Sequence, residues 1–161
     1  EYSVDDLYKI FHDFGEEKLA REIAEAIGEY RKKEELKTTN QLTEIVLQVY
    51  RQKLNTKKAV PWIGGIHPAT LIFQALRIAV NRELEVLKQT LPQAVEILNK
   101  GGRLAVITFH SLEDRIVKQY FQKENNHTIK IINKKPIVAS AEELKNNHSA
   151  RSAKLRIVEK N

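Results

Sequence analysis

The chain has no cysteine among its 161 residues. That excludes disulfides, thiolate metal sites and a thiol nucleophile. It fits a reducing compartment without requiring one. Methionine is absent too, and tryptophan occurs once. Even the longest uninterrupted apolar run, Leu104–Ile107, is only four residues, so no segment reads as a membrane span. The opening residues, EYSVDDLYKIF, are acidic and polar, unlike a signal peptide. They start with Glu rather than Met, which leads us to expect a piece of a longer protein. What is present suits a folded domain: 42% apolar residues can build a core in a chain of this length, with room for one domain plus a small insert.

The net charge of +6 is uneven. Residues 1–60 carry 11 basic and 12 acidic side chains, and residues 61–100 carry 4 and 3. Residues 101–161 carry 12 and 6, so the whole excess sits there. A localised basic segment favours a polyanionic partner, nucleic acid first.

Periodicity divides the chain into a helical front and an α/β back. Ser3 caps a first helix with Leu7, Ile10, Phe11 and Phe14 at helical spacing, and Gly15 is expected in the left-handed cap position. A second helix is expected from Glu16 to Lys32, with Leu19, Ile23, Ala26, Ile27 and Tyr30 on its apolar side. Thr38 and Thr39 precede a third, carrying Leu42, Ile45, Val46, Val49 and Tyr50. Three such amphipathic helices must pack on one another or on a neighbour. Pro61, Gly64 and Gly65 keep residues 55–67 irregular. One long helix is then expected from Pro68 to Gln89, with His67 as its cap, and Thr90–Pro92 restarts a helix to Leu98. After Gly101-Gly102 the period becomes strand-like. Residues 103–109 read as a strand buried on both faces. A helix follows, capped by Ser111, then strands at 128–132 and 153–158 around a short helix capped by Ser140.

Chemistry in open α/β sheets sits beyond the carboxyl ends of strands. There the first strand delivers His110, Ser111, Glu113, Asp114 and Arg115. His110 can shuttle a proton or bond a base edge, and Arg115 can hold a phosphate. Helix capping is the favoured account of Ser111 and can explain Asp114, with Arg115 pairing Asp114 or Glu113, but it does not use His110. Trp62 and His67 flank paired glycines in a loop that could stack a nucleobase, although a lone Trp is commonly a packing anchor. Arg77, within an apolar stretch, needs an ion-pair partner or a substrate. Arg151, Lys154 and Arg156 alternate with small residues, as suits either a phosphate backbone or a guarded edge strand. The five histidines show no ligand spacing, so no metal site is expected.

Three long words, HPATLIFQALRIAVNRELEVL (67–87), GGRLAVITFHSLEDRIVKQYF (101–121) and ARSAKLRIVE (150–159), together with FGEEKLAREIAEAI (14–27), make the chain similar to the carboxyl-terminal part of the RsmH (MraW) family. These are small-subunit rRNA cytosine-N4 methyltransferases. The resemblance implies methyl transfer from S-adenosylmethionine to the exocyclic N4 of a cytosine, and a cytoplasmic location. It implies an α/β fold in which residues 1–85 are a helical, substrate-side insert. Residues 86–161 would be the returning half of a Rossmann-like class I methyltransferase sheet, with about three strands, the last two antiparallel. His110 and Asp114 would then border the substrate pocket. Trp62, His67, Arg77, Ser111, Arg115, Arg151, Lys154 and Arg156 would meet the RNA.

The family's glycine-bearing donor loop and acidic ribose partner have no counterpart here. We therefore expect no bound cofactor and no methyl transfer by these residues alone. The strand at 103–109 should lack a neighbour, expose residues such as Val106 and drive self-association. Two rivals remain: a non-catalytic RNA-binding module and a protein-interaction domain, both built from a methyltransferase half. RNA binding with steep salt dependence separates them.

Overall fold

The computed structural model describes residues 2–60, 62 and 65–161. Glu1 and three members of the tryptophan–glycine loop, Pro61, Ile63 and Gly64, lie outside the described residues. The chain divides between Asn81 and Arg82 into two units.

The first unit is helical: α1 (Val4–Asp13), α2 (Ala20–Arg31), α3 (Thr39–Lys53) and α4 (Thr70–Asn81). Two starts follow sequence signals. The Ser3 hydroxyl accepts the Asp6 amide while the Asp6 carboxylate accepts the Ser3 amide, and Thr38 and Gln41 repeat the exchange at α3. The apolar stripes meet in one core, where Phe11, Ile23, Val46 and Ile72 have no solvent exposure. A polar tie crosses it. The Tyr50 hydroxyl donates to Glu17 Oε1 at 2.8 Å, and the same oxygen accepts the Leu19 amide at 2.9 Å. Burial, then the Glu17 carboxylate, pushes the Tyr50 hydroxyl pKa well above its usual value.

The α1–α2 turn departs from expectation. The second helix starts at Ala20, not Glu16, because residues 15–19 form a tight connection. Gly15 does not take the left-handed conformation; Glu16 does, at φ 49°. Gly15 is needed for space instead. A Cβ there would lie 2.6 Å from the Phe11 carbonyl oxygen and 3.1 Å from that of Leu71. Gly15→Ala is therefore expected to destabilise the helical unit by about 1–3 kcal/mol, read as a lowered urea midpoint with an unchanged m-value.

The second unit is mixed α/β: α5 (Glu83–Glu96), β1 (Arg103–Thr108), α6 (Ser111–Glu124), β2 (Ile129–Ile131), β3 (Ile137–Val138), α7 (Ala141–Asn146), a short 3-10 turn (His148–Ser152) and β4 (Lys154–Lys160). The long helix expected over 68–89 is broken at Arg82, which sits at φ 52°, and α5 then runs through Pro92 without restarting. Gly101, at φ 77°, turns the chain into β1, where backbone bonds from Gly101 and to Gly102 clasp Lys160 of β4.

The sheet is small and antiparallel throughout its named pairs. β4 is central, with β1 on one side and β2 and β3 on the other. Between β2 and β3 the Asn133 side chain stands in for a strand. Its Oδ1 accepts the Ile157 amide at 2.7 Å, and its Nδ2 donates to the Leu155 carbonyl at 3.0 Å.

One face of this sheet is covered by α5 and α6. Leu91, Val95, Val117, Phe121, Ile129 and Val158 form that core, with Leu104 and Val106 packed on it. The expectation that β1 is buried on both faces is thus corrected. Exposure alternates along it, so Val106 is sheltered while Ala105 and Ile107 are exposed. Ile107 is 58% exposed and Phe109 just beyond it 54%. They line an apolar hollow of about 430 Å³ with Ile137, Val138 and Leu155. Among the described residues, no helix is long and apolar enough to cross a membrane.

Candidate functional site

β1 ends at Thr108, and the chain turns directly into α6. His110, not Ser111, is the cap residue. Its backbone is extended, and its Nδ1 accepts the Glu113 amide at 3.4 Å. The Glu113 carboxylate answers by accepting the amides of Phe109 at 2.8 Å and His110 at 3.3 Å. Ser111 is the first helical residue instead. A histidine in this place escapes sequence reading, because imidazole is not among the side chains that favour caps.

Because Nδ1 accepts, the neutral ring carries its proton on Nε2. That nitrogen is buried and makes no hydrogen bond among the described residues. It lies 3.4 Å from Glu113 Oε1, and the imidazole is 9% exposed. Burial raises the Glu113 pKa, but the adjoining His110 imidazole and the hydrogen bond from the Phe109 amide outweigh it, and the net shift is down. Glu83, unnoticed in the sequence 27 positions upstream, joins the group: ligand-type atoms of Glu83, His110 and Glu113 lie within 4.8 Å of one another. Such a set could hold a divalent cation, although Glu113 is already engaged by two backbone amides. No signal in the sequence placed Glu83 here; the break at Arg82 does.

Asp114 has a different environment. It is 8% exposed, and Arg156 grips it through Nε at 2.7 Å and Nη2 at 3.2 Å, with Lys154 Nζ at 3.4 Å. The Arg156 hydrogen bond leads in holding the Asp114 carboxyl below its ordinary pKa, against the effect of burial. Arg156 is itself 8% exposed, and its guanidinium is spent on Asp114 rather than standing free at the surface. Strand alternation explains why: Arg156 and Val158 point to the helix-covered face, Leu155 and Ile157 to the other. Lys154 is half-buried on the same acid, and Arg151 stays exposed in the 3-10 turn, as does Arg115 on α6.

The first unit holds the other candidates. Trp62 is 68% exposed, so it is no packing anchor, and it meets His67 edge-on at 6.4 Å. His67 Nδ1 accepts the Ala69 amide at 3.2 Å ahead of α4. Arg77 is exposed on α4.

The MraW methylase family model matches residues 1–161. Ribosomal RNA small subunit methyltransferase H of Persephonella marina is 48% identical over 160 residues, covering 99% of this chain and 52% of its own length. The protein of the same name from a Sulfurihydrogenibium species is 47% identical over 157 residues, covering 97% and 51%. Ribosomal RNA small subunit methyltransferase H 2 of Agathobacter rectalis is 42% identical over 176 residues, covering 99% and 54%. The chain spans about half the length of the curated relatives it matches.

Proposed function

Since this chain belongs to the MraW methylase family, we propose that the whole protein transfers a methyl group from S-adenosylmethionine to the N4 of a cytosine in small-subunit rRNA. The observation that carries this reading is the 48% identity over 99% of the chain to a ribosomal RNA small subunit methyltransferase H. The first unit is then the helical substrate-side insert, and the second the returning half of a Rossmann-like sheet. A cytoplasmic location goes with an rRNA substrate.

The residues described here do not fit the methyl donor. Donor binding in such sheets needs a glycine-rich turn from strand to helix. The strand-to-helix turn of this chain, β1 to α6, reads Phe109-His110-Ser111, and the amides of Phe109 and His110 are already taken by the Glu113 carboxylate. No step is therefore routed through the donor, and these 161 residues alone are inactive in this proposal.

Their contribution is positional. The lone pair of an exocyclic amine is delocalised into its ring, so the amine must be aligned with its electrophile and relieved of a proton. His110, with its Nε2 unbonded at the carboxyl end of β1, borders that substrate side. Asp114 acts as a positioning residue, fixing the start of α6 to β4 through Arg156. Trp62 offers an exposed ring for a nucleobase, beside His67. Arg77, Ser111, Arg115, Arg151 and Lys154 remain candidates for RNA contact.

Labelled methyl transfer to small-subunit RNA tests the proposal. A full-length protein containing these residues should modify one cytosine at N4, and His110→Ala should lower its kcat by roughly 10²-fold. The 161-residue chain should transfer nothing. Transfer by this chain alone would refute the division of labour, and an unmodified cytosine with the full-length protein would refute the activity.

A further inference from the structure

A second concave site lies in the second unit, between α6 and the segment after β2. It is a cavity of about 210 Å³, lined by Lys118, Phe121 and Gln122 of α6, by Asn133 and Lys134, and by Arg156 of β4. All its charged lining residues are cations, and no carboxylate lines it. Lys118 and Lys134 are exposed and have no ion-pair partner among the described residues.

The surplus charge has a structural cause. Lys118 follows Asp114 by four residues, the spacing at which a helix pairs acid with base. Asp114 is taken by Arg156 and Lys154 instead, so the Lys118 ammonium is left over. Four residues further along the same face stands Gln122, which is neutral. Across the cavity, the backbone on either side of Lys134 is pinned by Asn133. The Asn133 side chain bonds β4 twice and also donates to the Lys135 carbonyl at 2.8 Å. Two uncompensated lysines thus line the same cavity as a guanidinium already anchored to the fold. An ordinary solvated surface would intersperse acids among them.

We propose that this cavity is a phosphate subsite that takes a backbone phosphodiester of the RNA substrate. The assignment rests on the rRNA reading above and adds a surface to it, since Lys118 and Lys134 stand outside the basic run of Arg151, Lys154 and Arg156 singled out in the sequence. Phosphate contacts of this kind fix the register of an RNA without reading its bases. Asn133 and Gln122 add amide groups suited to non-bridging or ribose oxygens.

The test is fluorescence anisotropy of a labelled single-stranded RNA from the small subunit, titrated with this chain at several salt concentrations. Lys118→Ala/Lys134→Ala should weaken binding about tenfold. It should also shrink the slope of log K against log salt by about 1.4, two contacts at about 0.7 each. Lys123→Ala/Lys145→Ala removes the same charge outside the cavity and should change both far less. Circular dichroism should show all variants folded. Equal losses in the two pairs would overturn the subsite in favour of general charge. Unimpaired binding by the cavity pair would overturn the subsite and leave the rRNA reading standing. Failure of the unaltered chain to bind RNA at low salt would overturn both. Saturable binding of inorganic phosphate at this cavity, with RNA affinity unchanged in the variant, would assign it to free phosphate and remove the RNA claim.

Discussion

Asp114→Ala is expected to lower the stability of the second unit by about 3–5 kcal/mol, the usual cost of stranding one member of a buried ion pair. The side chains of Asp114 and Arg156 are 12% and 10% exposed, so water cannot step in for the lost partner. Arg156 would keep its charge in the helix-covered face of the sheet with nothing to receive two of its N–H groups. The pair also ties the first turn of α6 to central β4, so its loss loosens the corner that carries His110. Replacing both members with apolar residues of similar size, Asp114→Leu with Arg156→Met, should cost much less than the single change. Urea denaturation of the unaltered chain and the two variants, followed by a probe in the second unit, checks this. The same pair sets an acid limit. The Asp114 pKa is lower in the folded than in the unfolded chain. Its contribution is therefore complete above the unfolded carboxylate value of about 3.9 and fades as pH falls through the folded value. Acid unfolding of Asp114→Ala should have lost that component below about pH 4.

The second large effect concerns the bare side of β1. In solution at high concentration the isolated chain is expected to exceed the 18.6 kDa of a single copy by light scattering. β1 pairs only with β4, which leaves its other edge with unpaired backbone groups among the described residues. Beside that edge lie Ala105, Ile107 and Phe109, exposed and contiguous with Ile137 and Val138. Burying one such side chain is worth about 1.5–3 kcal/mol. Ile107→Lys should therefore weaken association more than tenfold without unfolding the chain, because the Ile107 side chain is already in water. A chain that stays monomeric at every concentration would contradict this. In the full-length protein the same face should be covered by the remaining half, so association there should vanish.

Much of the helical unit was legible because its signals are local. Ser3 with Asp6 and Thr38 with Gln41 announce helix starts within four residues, and the stripes Leu7–Ile10–Phe11 and Leu42–Ile45–Val46–Val49 name their own buried faces. The missed features depend on partners distant in sequence. Pro92 looks like a breaker yet rides inside α5, while Arg82, with nothing unusual about it, adopts the left-handed backbone that breaks the helix. The apolar word Leu104–Ile107 implies two covered faces, but only one has helices to cover it. At the site, position was readable and role was not. His110 was rightly placed just past the strand, yet its ring turned out to cap α6. Arg156 belonged to a basic run by composition, but its parity on β4 sends it inward to Asp114. Glu83 and the lysines of the cavity carried no motif at all.

The Asn133 plug has a consequence for how copies can meet. Growth of a fibre requires two receptive borders per molecule, one to give and one to receive. On the border opposite β1 the ladder is interrupted by a side-chain amide, flanked by strands of three and two residues, with Lys130, Lys134, Lys135 and Pro136 spaced through it. Such a border is a poor template for an incoming strand. Stacking can then proceed from one side alone, and two molecules that join there exhaust each other's valence. Any association through β1 is then expected to close as a symmetric pair, twice the mass of one copy by light scattering, rather than to propagate into a filament.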